Sequence, residues 1–532
     1  MTAYVTTTIP YVNGAPHIGH ALEYVQADTL ARHRRRRGLE VRLQTGTDDN
    51  SLKNVLAADR EGLPVAQLVD RNAAAFARVL SALDVRFDRF VRTSIDPVHR
   101  AGVARLWRAC AAAGDMYRRQ YRGQYCVGCE QFYIPDALTA DGRCPEHLTE
   151  LEWVEETNWF FRLSRYAEPL RQRIEGGSLR IFPESRRNEV LALIDRGLED
   201  FSVSRSQDRA RGWGIPVPDD PSQVTYVWFD ALANYLTGLG FGGDGDAPEY
   251  RAFWSGSGGE RLHVLGKGVL HFHAVYWPAI LLSAGLPLPT NLFVHGYFTA
   301  GRQKVSKSLG NAIDPRVLVE RYGADTLRWY LLREVHPTAD TDFSEARLVQ
   351  RYNTDLANDL GNLLHRANTL LHRHRGGHVP PPKDELAAAS GLVEIAAGLP
   401  ERVDAALAAY DARHALTSVW DIVARANRVI EETSPWDLAR AERAGDAGAG
   451  LRLDSVLYAA LETVRVVAVH LEPFLPAAAA SILAHLGCSA DDTRPEPARI
   501  QWGGLIPGTV TRAPAPLFPR IEERTEADAA GR

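Results

Sequence analysis

Two lysines in one short segment, Lys304-Val305-Ser306-Lys307-Ser308, have a type and spacing that could act on phosphate. Lysine is rare here: the chain has 61 Lys and Arg residues, and nearly all of them are arginine. A lysine ammonium is a compact charge on a flexible stem, so it can follow a phosphate whose geometry changes during a reaction. By itself the segment favours a functional role over a surface loop that happens to hold two lysines, but it becomes decisive only with a partner elsewhere in the chain.

The N-terminal region supplies that partner in His17-Ile18-Gly19-His20. Pro16 is typical of a first helical position, and histidines three residues apart share one face of a helix. At a helix N-terminus they lie beside unpaired amide groups and the positive end of the dipole, where phosphates bind. Gly19 would let a flat ring or a ribose approach the backbone. The alternative is two histidines that only cap the helix.

A third group of residues has the spacing of a metal site: Cys126-x2-Cys129-x14-Cys144-x2-His147. Two short ligand pairs of this kind can surround one tetrahedral zinc ion. Four protein ligands leave no open coordination position, so we expect a single structural Zn²⁺ and no catalytic metal at this place.

The elements that must position these residues follow from hydrophobic patterning. Residues 3–9 are predicted to form a buried strand, His17 to about Arg37 a helix, and Glu40 to Gln44 a second strand. Strand–helix–strand units indicate a parallel, doubly wound sheet. Strand patterning returns at 224–229 and 261–265, followed by a helix after Gly268.

The remaining chain divides by composition. From about 345 to 485 it is rich in Ala, Leu and Arg at helical spacing, which predicts an α-helical bundle. The expected fold is therefore α/β: a Rossmann-like sheet with an inserted zinc-knuckle module, followed by a C-terminal helical bundle. The predicted boundaries are 1–114 and 226–344 for the two halves of the catalytic domain, 115–225 for the insertion, 345–506 for the bundle, and 507–532 for a C-terminal peptide and tail.

Composition narrows the class of protein. Hydrophobic residues make up 45% and charged residues 24% of the chain, as in ordinary globular proteins. We find neither a long apolar run nor a signal peptide, so we predict a cytoplasmic protein without a membrane span. The net charge of −5 means that any contact with RNA must come from local patches.

The paired segments at 16–20 and 304–308 resemble the two signatures of class I aminoacyl-tRNA synthetases. Further segments are similar to those of methionyl-tRNA synthetases, and the similarity extends from about residue 4 to 522. They are Thr8–His20, Thr45–Asp48, Phe201–Arg205, Tyr226–Asp230, Phe272–Trp277 and Ser434–Trp436.

This resemblance implies ligation of L-methionine to tRNA(Met) with ATP and Mg²⁺, through methionyl-adenylate. The catalytic residues that it implies are His17, His20, Arg205, Lys304 and Lys307. The ATP-binding residues would be Gly19, Glu23 and Gly266 together with the two lysines. A reaction that builds charge on phosphate oxygens needs mainly positioning and electrostatic stabilisation, which suits such a set.

The resemblance also implies two further sites. The methionine pocket would be formed by Ile9, Tyr11, Asp48, Trp228, Ala231, Leu232, Tyr235, Val269, Phe272, His273 and Trp277. Sulfur is polarizable and packs well on aromatic rings, so such a pocket suits a thioether. The anticodon would be read by Asn362, Arg366 and Trp436, since single-stranded bases are commonly stacked and hydrogen-bonded in this way.

Three positions depart from the family pattern. Asn50 stands where His is usual, Gly268 where Asp is usual, and Val305 where Met is usual. We therefore expect a diverged paralogue, and our hypothesis is an altered pocket that tolerates inhibitors of the ordinary enzyme. Two alternatives remain: a class I-like ligase with a small amine acceptor, and a non-catalytic tRNA-binding paralogue. No appended dimerising domain follows the C-terminal peptide, so we expect a monomer.

Overall fold

The computed structural model describes residues 1–126, 131–133, 138–145, 149–242, 245–300, 303–304, 312–381, 390–488 and 499–522. The chain forms two compact units. The first contains Met1–Ser81, Val85–Tyr297 and the segment that ends at Pro315. The second contains Ala82–Asp84, Phe298–Lys304 and the chain from Arg316 onward.

The strands of the first unit are β1 Thr2–Thr7, β2 Glu40–Thr47, β3 Arg89–Arg92, β4 Met116–Cys126, β5 Gln131–Tyr133, β6 Glu152–Phe161, β7 Arg180–Phe182, β8 Phe201–Ser202, β9 Ser204–Ser206, β10 Pro216–Val217, β11 Asp220–Thr225, β12 Glu260–Gly266 and β13 Asn291–His295. Its α-helices are α1 Ile18–Arg36, α2 Leu52–Glu61, α3 Val65–Ala82, α4 Pro97–Ala112, α5 Ala167–Glu175, α6 Glu184–Asp195, α7 Val227–Leu232, α8 Asn234–Thr237, α9 Pro248–Tyr250 and α10 Trp277–Ser283. Helical turns of other types cover Leu163–Tyr166, Arg251–Ser255, Lys267–Val269 and Phe272–Tyr276.

A six-stranded sheet in the order β3-β2-β1-β12-β13-β7 forms the centre of this unit. All of its neighbouring strands are parallel. The strand order runs outward in both directions from the β1–β12 pair. This is the switch point at which α/β sheets bind ligands, outside the carboxyl ends of the strands. The predicted parallel sheet is confirmed, including the β1–α1–β2 unit.

One predicted strand is wrong. The segment 224–229 was expected to rejoin the main sheet, but β11 ends at Thr225 and helix α7 begins at Val227. β11 pairs antiparallel with β9 and β10 in a small separate sheet. A short apolar run is buried equally well as a strand or as a helix, so its pattern does not distinguish the two.

The segment between the two halves of the main sheet builds its own structure. It contains the small sheet of β9, β10 and β11 and a four-stranded sheet in the order β5-β4-β6-β8. Between β6 and β8 the chain returns once to the main sheet, where β7 pairs in parallel with β13.

The second unit is mainly helical, as predicted. Its helices are α11 Pro315–Tyr322, α12 Ala324–Arg333, α13 Glu345–Arg351, α14 Asn362–Arg375, α15 Leu392–Ala408, α16 Ala412–Thr433, α17 Pro435–Arg443, α18 Ala447–Leu471 and α19 Pro476–His485. A π-helix, Tyr352–Gly361, precedes α14, and three short strands, β14 Phe298–Ala300, β15 Gln303–Lys304 and β16 Thr341–Asp342, pair with one another. None of the helices among the described residues combines the length and the apolar character that a membrane span requires.

A buried ion pair attaches the C-terminal segment to α18. Glu462 and Arg465 are almost fully buried and lie 2.6 Å apart. The Glu462 carboxylate also accepts hydrogen bonds from the backbone N–H groups of residues 503, 504 and 505. Arg465 donates to the carbonyls of Arg499 and Gln501. Both buried charges are thereby satisfied, which is the condition for tolerating them.

Exchanging Glu462→Gln should therefore destabilise the protein by about 3–5 kcal/mol, because the Arg465 charge stays buried without its counter-ion. Urea unfolding followed by circular dichroism would measure this loss. The control is Glu401→Gln on the exposed side of α15. Equal stability of the two variants would contradict the role given to the pair.

Candidate active site

One buried carboxylate joins the loop after β1 to the end of β13, the strand next to β12. Glu23, on α1, accepts hydrogen bonds from both the backbone N–H and the hydroxyl of Thr8, which follows β1. Its other oxygen lies 3.0 Å from Nε2 of His295 at the end of β13. The crevice edge thus has a fixed shape before any ligand binds.

His17 and His20 lie at the start of α1 and hydrogen-bond to its first turn. Nδ1 of His17 accepts from the N–H of Gly19 at 3.1 Å, and Nδ1 of His20 accepts from the N–H of His17 at 3.0 Å. Because a backbone N–H can only donate, the proton of each neutral imidazole must lie on Nε2. The two rings are 3.9 Å apart. The structure thus brings the pair together as caps whose Nε2–H groups can donate.

Gly19 is required by this cap. A Cβ at this position would lie 2.9 Å from Cε1 of His17, so any side chain would displace the imidazole. Ile18 in the same turn donates its N–H to the carbonyl of Ile313 at 2.9 Å. The chain that follows the second lysine signature therefore passes the start of α1. Lys304 has only its backbone described, in β15, and Lys307 lies outside the described residues.

Adjacent carboxylates after β2 have different surroundings. Asp49 is fully buried and accepts from Thr47, Arg92 and Ser94. Burial raises its pKa, against the opposing effect of Arg92. Asp48 lies beside Tyr11 in an isolated bridge between the loops after β1 and β2. Asp49 is thus committed to internal contacts, and Asp48 is the carboxylate next to a pocket residue.

Sequence reasoning missed a chain of polar contacts that begins at Asn50, two residues after Asp48. The Asn50 amide donates to Oδ2 of Asp230 at 2.7 Å, and Nε2 of His99 lies 2.6 Å from Oδ1 of the same carboxylate. Nδ1 of His99 contacts the hydroxyl of Thr237 at 2.8 Å. These residues are far apart in sequence. The only signal in the sequence was Asn50, which stands where the family usually has His.

The aromatic residues predicted for the pocket come together around α7 and the turn at 272–276. Trp228 stacks on Phe272, with ring centroids 3.6 Å apart and an interplanar angle of 12°. Tyr11 packs against Trp228 at 6.0 Å. Ala231 and Leu232 are buried on α7, and Ile9 lies half-buried on the loop after β1.

His273, in the turn at 272–276, is held as a neutral ring. Its Nδ1 lies 2.9 Å from the carbonyl of Val269, which can only accept, so Nδ1 carries the proton. Nε2 then accepts from the hydroxyl of Tyr235 at 2.8 Å. Burial lowers the pKa of His273 to about 4. The ring of Tyr235 also packs against Trp277 at 6.0 Å.

Arg205 lies in β9 of the inserted segment and is buried. It donates to the hydroxyl of Ser202 at 2.9 Å and to the carbonyl of Ser204 at 2.8 Å. Its guanidinium also packs over the ring of Tyr226 at 4.1 Å. These contacts fix the guanidinium within the inserted segment.

Two of the four predicted zinc ligands are described. Cys126 ends β4, opposite Gln131 of β5, and Cys144 follows in the next loop. Both side chains are buried. Cys129 and His147 lie outside the described residues. Among the residues that the structure describes, no cluster of three or more His, Cys, Asp or Glu could hold a metal.

The predicted anticodon residues lie on the surface of the second unit. Asn362 is the exposed first residue of α14, and the guanidinium of Arg366 lies 5.8 Å from the ring of Trp436. Trp436 is 42% exposed. It follows Ser434, whose φ of 42° is left-handed and uncommon outside glycine. The backbone turn between α16 and α17 thus presents the indole.

A nucleotide-type crevice, paired imidazoles at a helix start and a separate helical unit are shared with class I tRNA synthetases. A family model described as "tRNA synthetases class I (M)" matches residues 3–152 and 147–368. A second, "Anticodon binding domain of methionyl tRNA ligase", matches residues 382–532.

Curated relatives cover nearly the whole chain. The methionine–tRNA ligase of Mycobacterium leprae is 41% identical over 98% of this chain and 95% of its own length, and that of Thermotoga maritima is 38% identical over 98% and 81%. The solved structure of Mycobacterium tuberculosis methionyl-tRNA synthetase in complex with methionyl-adenylate is 40% identical, with a TM-score of 0.91, over 98% of this chain and 100% of that one. The chain belongs to the methionyl-tRNA synthetase family.

The neutral state of His273 predicts a pH dependence of stability. The pKa falls from about 6.5 in the unfolded chain to about 4 in the folded protein. The unfolded state therefore binds an extra proton between these values, and stability falls as the pH drops through this window. Between pH 6.5 and 5, wild type should lose about 1.5 kcal/mol more than His273→Gln. Urea titrations at both pH values would measure it.

The control for that experiment is exposed His414→Gln. A His273→Gln protein whose stability depends on pH as strongly as that of the control would refute a buried neutral His273.

Proposed function

We propose that this chain joins L-methionine to tRNA(Met) in an ATP-dependent reaction through methionyl-adenylate, releasing AMP and pyrophosphate. The observation that carries this proposal is the match along 98% of the chain to a synthetase solved with methionyl-adenylate. The two alternatives, a small amine acceptor and a non-catalytic paralogue, have no comparable support, and the match to an anticodon-binding domain disfavours the first.

The activation step is an attack of the methionine carboxylate on the α-phosphorus of ATP, with pyrophosphate as the leaving group. His17 and His20 would donate from Nε2 to phosphate oxygens, since both Nδ1 atoms accept from the backbone. Lys304 and Lys307 would neutralise the leaving pyrophosphate, and Arg205 would contact the reacting groups. Mg²⁺ bound with ATP would supply further charge neutralisation. Loss of one such donor typically costs about 3 kcal/mol of barrier.

The nucleotide would lie across the β1–β12 switch point. Gly19 would allow close approach at the start of α1, and Gly266 would do so at the end of β12. Glu23 would act by holding Thr8 and His295 in place, because its oxygens are engaged by these residues.

The methionine pocket would use the charge of Asp48 for the substrate ammonium and the aromatic cluster for the side chain. Its walls would be Ile9, Tyr11, Trp228, Ala231, Leu232, Tyr235, Val269, Phe272, His273 and Trp277. A neutral His273 suits an uncharged thioether, because an imidazolium would bring a buried charge with no counter-ion.

The helical unit would bind the anticodon loop, with Trp436 stacking on a base and Asn362 and Arg366 hydrogen-bonding to base edges. We assign 1–114 and 226–344 to catalysis, 115–225 to the insertion, 345–506 to anticodon binding and 507–532 to a C-terminal peptide and tail. A cytoplasmic monomer remains our prediction.

A single structural zinc ion would be held by Cys126, Cys129, Cys144 and His147. The donor chemistry fits, since the thiols of Cys126, at the end of β4, and of Cys144, 3.8 Å from the Tyr133 hydroxyl on β5, are both buried. The ion would join the two ligand pairs and take no part in the reaction.

The imidazole donors can be tested with their caps intact. In His20→Asn, the amide oxygen replaces Nδ1 as the cap acceptor, and the Nε2 donor is lost. We expect methionine-dependent ATP–pyrophosphate exchange to fall by roughly 10²–10³-fold in kcat/KM with an unchanged Tm. His20→Gln, whose amide can donate from the Nε2 position, should recover part of the rate.

His414→Asn is the control on the helical unit. The proposal fails if methionine does not support exchange by wild type in a comparison of the twenty amino acids. The donor role fails if His20→Asn exchanges pyrophosphate as fast as the control.

The zinc proposal predicts one zinc ion per purified chain by inductively coupled plasma mass spectrometry. Cys144→Ser should lose most of the metal and some thermal stability, because structural zinc contributes directly to folding. Cys488→Ser, outside the ligand set, should retain it. Zinc-free wild type of full stability would overturn the assignment.

A further inference from the structure

The hydroxyl of Tyr297 occupies the space that a side chain at residue 268, just after β12, would fill. A Cβ at residue 268 would lie 1.7 Å from the Tyr297 hydroxyl oxygen and 3.0 Å from Cζ. The backbone at Gly268 is not left-handed, so glycine is not needed there for its φ angle. Gly268 is required because the phenol fills the place of a side chain.

The phenol ring lies along the turn after β12. Its Cε1 is 3.8 Å from the Cβ position of Gly266, and the ammonium of Lys267 lies 4.7 Å from the ring centroid. Such a cation over an aromatic face is attracted by the ring quadrupole. These contacts direct the hydroxyl to residue 268.

That place faces the crevice at the switch point. Gly268 is exposed and Tyr297 is half-buried. β12 is the neighbour of β1, and the His17–His20 cap follows β1. The phosphates belong at that cap, so the end of the adjacent strand faces the uncharged, nucleoside part of ATP.

Position 268 is also where the family pattern usually has Asp. A carboxylate at this edge of a nucleotide-binding sheet typically accepts from a ribose hydroxyl. A phenol in the same space is neutral and can both donate and accept. It can hold the ribose without placing a negative charge near the phosphates.

We propose that Tyr297 is a specificity-determining residue whose hydroxyl binds a ribose hydroxyl of ATP, in the space that Gly268 leaves open. This inference rests on the proposed function, since it assumes that ATP occupies the switch-point crevice. Gly268 acts by leaving room, and Tyr297 makes the contact.

Discrimination between ATP and its deoxy analogues tests the contact. Titration calorimetry on the full chain would give Kd for ATP, 2′-deoxyATP and 3′-deoxyATP. Wild type should bind one of the two analogues roughly three- to tenfold more weakly than ATP, because that analogue lacks the hydroxyl and with it one hydrogen bond. Tyr297→Phe should bind ATP and that analogue with nearly equal Kd. A merely structural hydroxyl would change all three Kd values together and leave their ratios unchanged.

Gly268→Ala tests the steric half, because the new methyl group must displace the phenol. It should lose the same discrimination while the ring is retained. The matched controls are Tyr352→Phe and Gly398→Ala in the second unit; a Cβ at residue 398 meets nothing within 4 Å. Both should discriminate as wild type does.

Equal binding of ATP and both analogues by wild type, or unchanged discrimination in Tyr297→Phe, would overturn the inference. If Gly268→Ala still binds ATP more tightly than the deoxy analogue, as wild type does, the steric role of Gly268 is wrong. The proposed function is assessed separately by methionine-dependent exchange in the wild type. Its failure therefore looks different from a loss of ribose discrimination.

Discussion

The pairing of β1 with β12 at the centre of the parallel sheet is the constraint on which the first unit depends. Strands are added outward on both sides of this pair, so the loops that leave their carboxyl ends diverge and open a crevice. The start of α1, the loop after β2 and the turn after β12 all border it. The proposed contacts made from α1, from the loop after β2 and from the turn after β12 follow from that topology, whereas Arg205 belongs to the separate sheet of the inserted segment.

Buried polar groups keep the crevice in shape. Glu23 joins the loop after β1 to the end of β13, Asp49 is held by three donors, and Asp230 joins Asn50 to His99. Leaving any of these carboxylates unpaired would cost several kcal/mol, so each bond limits how far a loop can move. The site residues are therefore positioned before a ligand arrives, which is what electrostatic catalysis requires.

The sequence predicted the parallel sheet, the first helix to within one residue and the helical C-terminal unit, because each follows from a local period. It did not predict that the strand in 224–229 ends at Thr225 and that a helix begins at Val227, since a buried apolar run fits a strand or a helix equally well. Nor could it predict the Gly268–Tyr297 contact or the Asn50–Asp230–His99 chain. Both join residues distant in sequence, and side-chain direction is decided by packing. The departures from the family pattern at residues 50 and 268 drew attention to these two positions, but the sequence did not show that Asp230 contacts Asn50 or that Tyr297 lies against Gly268.

The central claim is that this chain charges tRNA(Met) with methionine, and aminoacylation tests it most directly. Purified wild type would be given ATP, labelled methionine and transcripts of tRNA(Met) with the anticodon CAU or with one anticodon base changed. We predict acid-precipitable methionine on the CAU transcript and a large loss of kcat/KM when that base is changed. Equal charging of both transcripts, or methionine-dependent exchange with no transfer to tRNA, would contradict the account.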